Sequence, residues 1–372
     1  MAKFTRRRLL GVTASSMALG SLAGCIGGPL TAEGDEKDAT AEASFFVFGK
    51  FASAVAGETA TAETLVPVGQ HGHGWEPGPK IQGEVLDADL FVHGVEGFQP
   101  WADDVAANVR DDGGDTELLR VGENVDLLEM DGGDHEEDEH HDEDEHEGDH
   151  DEDEHDGTET DHEGDHDEEE HEEDHDEEEH EEDHDEDEEE HDHAGEDPHF
   201  WLDPIRAKRA VETVREGFVS ADGANADAYE ENAEEYASRL DDLHESFESA
   251  LGSASNDVVL VAGHDAFGYL ADRYGFEVVT LTGVSPDDTP TPKDIERAQH
   301  VVEEHDLDYV VADPLESQTA ADQLVEETDA EEVLPLTSIP GRTEEWVEND
   351  WGYVEVMEEV NLPTLKRALG AE

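Results

Sequence analysis

Twenty-two histidines and one cysteine make imidazole, not thiolate, the group with which this chain of 372 residues can hold a borderline cation. Fourteen of those histidines fall within residues 134–193, among 41 acids and with no Lys or Arg. Neutral imidazole is the commonest side-chain ligand for zinc-like ions. Units such as His171-Glu172-Glu173-Asp174-His175 and His180-Glu181-Glu182-Asp183-His184 recur through the block. They read as many weak, labile sites rather than one closed tetrahedral site. Like charge at this density prevents collapse into a core, so the block is expected to be disordered. A merely solubilising tract is the alternative, but it leaves the recurring imidazole unexplained.

The other histidines matter through their loop context. Gly69-Gln70-His71-Gly72-His73-Gly74-Trp75-Glu76-Pro77 follows a predicted strand. Asp197-Pro198-His199-Phe200-Trp201-Leu202-Asp203-Pro204 closes the acidic block and opens a helix. Gly263-His264-Asp265-Ala266-Phe267-Gly268-Tyr269 follows another strand. Ligands of open α/β sheets lie beyond the carboxyl ends of strands, which is where His73 and His264 would stand. His71 is a second local candidate, equally suited to face solvent. His93, His244, His300 and His305 lie outside any motif.

These loops need a frame. Residues 43–48, 63–68, 88–93, 258–262, 277–281 and 309–312 are short apolar runs that predict strands. Helices are predicted near 51–56 and at 265–273, 292–305 and 318–328. The strongest helix signal is 224–254, where Tyr229, Ala233, Tyr236, Leu240, Leu243 and Phe247 repeat at close to 3.6 residues. Near-continuous apolar strands alternating with helices indicate parallel sheets covered on both faces. The expected fold is α/β, two lobes with parallel sheets joined by a single long helix.

The N-terminus carries an address. Thr5-Arg6-Arg7-Arg8-Leu9-Leu10 is a twin-arginine region ahead of a short apolar run that ends in Leu22-Ala23-Gly24-Cys25, a lipobox-like sequence. Cys25 is the expected lipidation site, which places the mature chain outside the cell membrane, anchored to its outer face by lipid. The expected order is signal 1–25, flexible tether 26–42, N-terminal lobe 43–133, insertion 134–196, the rest of that lobe with the connecting helix 197–254, and C-terminal lobe 255–372. A net charge of −86 makes nucleic acid and anionic membrane poor partners. Scarce Lys beside Arg and an acid-coated surface suit a halophilic archaeon, since high salt screens self-repulsion.

Taken together, the three motifs resemble the solute-binding receptors of zinc and manganese ABC uptake systems, the ZnuA/TroA-like family. There, segments of the form P-H-x-Y-E-P, D-P-H-x-W-L-D-P and H-D-A-F-x-Y each supply one His to a metal held between two lobes. The second and third match closely here. In the first, Gly72 replaces Pro while Trp75-Glu76-Pro77 keeps the frame. The resemblance implies metal ligation by His73, His199 and His264 in the interlobe cleft. It also implies an ABC permease and its ATPase as partners, a monomer, and no enzymatic activity. Residues 134–196 occupy the place of the His-rich insertion found in zinc-selective members. The family often draws a carboxylate from the loop after the last apolar strand, but Val333–Gly341 contains no acid. Glu344, Glu345, Asp350 or water would complete the shell. Three neutral imidazoles suit Zn²⁺ better than Mn²⁺, which prefers more oxygen donors.

Other readings are a metal buffer whose active part is the acidic block, an adhesin-type lipoprotein, and a zinc hydrolase. The last lacks any H-E-x-x-H helix, G-x-S-x-G elbow or Gly-rich phosphate loop.

Overall fold

The computed structural model describes residues 38–72, 75–130, 195–285 and 288–371. The signal, Cys25, most of the tether, His73 and almost all of the insertion lie outside the described residues. The N-terminal sheet is built from β1 (Thr40–Ala43), α1 (Phe46–Ala56), β2 (Thr61–Thr64), α2 (Ile81–Asp87), β3 (Leu90–His93), α3 (Pro100–Asp112) and β4 (Glu117–Arg120). After a 3₁₀ turn at Phe200–Leu202 come α4 (Pro204–Ala221) and α5 (Ala226–Leu251). The C-terminal sheet follows with β5 (Val258–Val261), α6 (Gly268–Tyr274), β6 (Glu277–Thr280), α7 (Pro292–Glu304), β7 (Tyr309–Ala312), α8 (Thr319–Glu327) and β8 (Glu332–Pro335). The chain ends in α9 (Glu344–Glu348), α10 (Tyr353–Val356), a π segment at Met357–Asn361 and α11 (Leu362–Ala368).

Both sheets are parallel, with strand orders β2-β1-β3-β4 and β6-β5-β7-β8. The direction of winding therefore reverses between β1 and β3 in one lobe and between β5 and β7 in the other. Crevices form at such points, outside the carboxyl ends of the strands. The inner strands β3 and β5 are buried along their whole length, as continuous apolar sequences require. Helix α5 buries Tyr229, Ala233, Tyr236, Leu240, Leu243, Phe247 and Leu251. That stripe packs on α1 and α4 of the first lobe and on α6, α10 and α11 of the second. A second helix, α4, thus accompanies the expected long connector. Aromatic rings close the junction: Trp201 lies 5.1 Å from Phe45 and 5.3 Å from Phe98, centroid to centroid.

Several boundaries differ from the sequence expectation, among them β2, which takes Thr61–Thr64 rather than residues 63–68. Residues 45–48 open α1 rather than finish a strand, because α1 is buried nearly all round and so lacks a polar face to reveal its period. Strand β1 instead takes Thr40–Ala43, most of it assigned above to the tether; its sequence TAEA is too small and polar to announce itself. Strand β4 was not anticipated, since only Leu118 and Leu119 are apolar in it. Helix α1 rides close on β2: a Cβ on Gly49 would sit 2.0 Å from Thr64 Oγ1.

At the end of β3, His93 is 1% exposed and its ring stacks on Phe91 at 5.3 Å. Burial, and then the charges of Arg120 and Arg110, depress its pKa to about 4. The unfolded chain takes that proton near 6.5, so between these values it is the unfolded state that binds the extra proton. His93 therefore contributes stability fully above pH ~6.5 and loses it as pH falls toward 4. Between pH 7 and pH 5 the loss is about 2 kcal/mol. His93→Phe should lose that much less stability than wild type over this interval, as urea midpoints at the two pH values would show. Parallel losses in both chains would contradict it.

Candidate metal centre

Three donors converge beyond the carboxyl ends of the strands, and a fourth imidazole, that of His199, lies beside them. His264 follows β5, Glu316 follows β7, His199 stands just before the 3₁₀ turn, and His71 lies in the loop after β2. One donor atom from each of His71, His264 and Glu316 lies within 4.8 Å of the others. Glu316 Oε1 is 2.6 Å from His264 Nδ1 and 3.4 Å from His71 Nε2. Tetrahedral zinc with ligands at about 2.0–2.2 Å spaces its donors at roughly 3.3–3.5 Å, so modest side-chain adjustments suffice for coordination. The His199 and His264 rings are 5.3 Å apart, and His71 and His264 are 5.9 Å apart.

His199 is fully buried and oriented from within its own motif. Asp197 Oδ1 accepts the His199 backbone N–H at 2.9 Å and contacts its Nδ1 at 2.8 Å. A carboxylate on Nδ1 fixes the tautomer and directs Nε2 toward a cation. Asp197 is in turn anchored by Tyr269, which donates to its carbonyl at 2.6 Å. Burial holds the His199 pKa below the ordinary imidazole value despite the hydrogen bond to Asp197. The ring is therefore neutral, as a metal ligand must be.

Burial alone would raise the Glu316 carboxyl, but hydrogen bonds from His264 and His71 override it and hold the pKa at about 2. Its loop is fixed by Asp313, which is buried and accepts from the backbone N–H of Leu315 and of Ser338, both at 2.9 Å. A cavity of about 600 Å³ has His71, His264 and Glu316 in its wall, while His199 lies deeper. Solvent thus meets three donors before the fourth.

The loop after β8 contributes differently from the expectation. Glu344 and Glu345 begin α9 and are exposed, as is Asp350, and none of them joins the cluster among the described residues. Instead the loop offers backbone carbonyls: Arg342 O accepts from Gly69 N–H at 2.8 Å and Pro340 O from Gly72 N–H at 2.9 Å. The acid at the site comes from the loop after β7. Its signal was legible, since Glu316 stands just past an apolar strand, the context that singled out His264. The structure brings His199 and His264 together with His71, while His73 lies outside the described residues. His93 is buried among the apolar residues of the N-terminal lobe, and His244 contacts Tyr274 at 3.2 Å on the flank of α5.

High-affinity zinc uptake system protein ZnuA of Bacillus subtilis (strain 168) is 27% identical over 326 residues, covering 88% of this chain and 86% of that one. Zinc-binding lipoprotein AdcA of Streptococcus pneumoniae (strain ATCC BAA-255 / R6) is 28% identical over 332 residues, and here the match spans only 55% of the relative. Among solved structures, the Zn(II)-bound ZnuA-like domain of Streptococcus pneumoniae AdcA superposes with a TM-score of 0.64 at 23% identity. That superposition covers 90% of this chain and 99% of the domain. A family model described as "Zinc-uptake complex component A periplasmic" matches residues 42–368.

Proposed function

Since the chain belongs to that ZnuA family, we propose that it is an extracytoplasmic receptor that captures Zn²⁺ and delivers it to an ABC import permease and its ATPase. The observation that carries this reading is the convergence of His264, His71 and Glu316 at the crevice between the sheets, with the His199 ring 5.3 Å from that of His264. Three nitrogens and one carboxylate oxygen favour zinc over manganese. A carboxylate in the fourth position also argues against hydrolysis, because catalytic zinc keeps that position for water. His73, two residues beyond His71, is proposed as the alternative donor from the same loop, in place of His71. Lipid on Cys25 would hold the receptor at the outer face of the membrane as a monomer. Among the described residues no helix is long and apolar enough to cross a membrane.

The insertion is proposed to gather metal near the cleft without being part of it. Its flanks support a separable role, because Glu129 and Glu196 form an antiparallel bridge and Met130 N–H donates to Gly195 O at 2.8 Å. Deleting residues 134–193 should leave one tight zinc site, while the full chain shows that site plus a weaker class. Calorimetric titration of both chains checks this. Loss of the tight site on deletion, or no zinc uptake by either chain, would overturn the assignment.

A further inference from the structure

We propose that Gln99 is a positioning residue that sets the zinc affinity of the cleft by clamping the loop that carries His71. The inference rests on the receptor reading above and adds a residue that touches no metal. Gln99 directly precedes α3 and is 2% exposed, yet its side chain does not cap that helix. It turns instead toward the loop. Its Nε2–H groups donate to Gly72 O at 2.9 Å and Ser44 O at 3.1 Å, and its Oε1 accepts from Ser44 Oγ at 2.7 Å. Ser44 immediately follows β1 and is itself fully buried, so the clamp is fixed to the sheet.

The second half of the grip comes from the other lobe. Gly72 N–H donates to Pro340 O at 2.9 Å. A Cβ at Gly72 would lie 2.5 Å from the Phe45 ring and 2.7 Å from Pro340 O, so no larger residue fits there without displacing its neighbours. Gly72 is thus held through its carbonyl by the N-terminal lobe and through its N–H by the C-terminal lobe. His71 is its neighbour, and its Nε2 stands 3.4 Å from Glu316. Only a primary amide completes this arrangement. A carboxylate at position 99 would set negative charge against two backbone carbonyls, and a hydrocarbon would remove the hydrogen bond that Gln99 gives each of them.

Competition titrations of the full chain against a zinc-chelating indicator test the idea. Gln99→Met and Gln99→Glu should each weaken binding by roughly 10–100-fold, as expected when a ligand loses its outer support. Gly72→Ala should do the same with Gln99 intact. A role confined to general stability is excluded by a double-mutant cycle. In a chain already carrying His71→Ala and His73→Ala, Gln99→Met should change affinity by less than about twofold. An equal loss in both backgrounds, or unchanged affinity in Gln99→Met alone, overturns the proposal while leaving the receptor reading in place. A wild-type chain that takes up no zinc would sink that reading instead.

Discussion

On the proposed reading, replacing His199 with Ala should lower zinc affinity by more than the roughly 100-fold expected when a ligand merely loses a supporting hydrogen bond. His199 is the one donor in the cluster with no solvent exposure, and its ring is wedged 5.3 Å from Trp201 and 6.3 Å from Phe98. Water that replaced it would find little room and few polar partners. The remaining donors, His264, His71 and Glu316, lie on the cavity side and would hold the cation in a wetter, less complete shell. Asp197→Asn should fall between wild type and His199→Ala, because the ring stays but its tautomer is no longer enforced. His244→Ala serves as the matched control on α5 and should leave affinity unchanged. Calorimetry on the three variants decides the matter: unaltered binding in His199→Ala would remove His199 from the site.

The largest stability loss is expected from Asp203→Ala, at about 3–4 kcal/mol. Asp203 is fully buried and serves three partners. Its Oδ1 caps α4 by accepting Ile205 N–H at 2.8 Å. Its Oδ2 accepts Arg206 Nη1 at 2.8 Å and Arg273 Nη2 at 2.5 Å, so it joins the start of α4 to the end of α6. Removing one member of a buried ionic cluster costs about 3–5 kcal/mol because the remaining charges lose their partner. Here the arginines are 13% and 30% exposed, so solvent relieves part of that penalty. Loss of the cap adds about 1 kcal/mol. Asp203→Asn keeps a cap acceptor and should cost about half as much. Urea denaturation with an unchanged slope would confirm the ordering, and a loss below about 1 kcal/mol in Asp203→Ala would refute the network's role.

Much of this arrangement was readable from residue types. The α5 stripe from Tyr229 to Phe247 announced itself because one face is buried and the rest exposed. The inner strands β5 and β7 were located to within a residue because burial on both faces demands unbroken apolar sequence. His199 and His264 stood out through motif and strand-end context. Features that act through the main chain were opaque. Nothing in Ile339-Pro340-Gly341-Arg342 reveals that its carbonyls secure the first histidine loop, since every residue carries a carbonyl. Gln99 was equally silent, because a lone amide before a helix more often serves as a cap. The position of Glu316 was harder to read for a related reason. The resemblance pointed past β8, whereas the loop after β7 is the one that Asp313 folds inward over the crevice.

The bridge between Glu129 and Glu196 makes the region between Met130 and Gly195 a splice port. Bridged residues of antiparallel strands lie about 4.5–5.5 Å apart at Cα. Any guest domain whose own termini meet at that spacing could be seated there without prying the host apart, the condition under which domain insertions succeed. The port opens four residues before His199, with Gly195 and Glu196 on one side and Leu128 joined to Asp197 by a 2.8 Å backbone hydrogen bond on the other. A fluorescent reporter spliced at this point would share its rim with the loop that carries His199, so on the proposed reading this scaffold would serve as a chassis for an optical gauge of zinc.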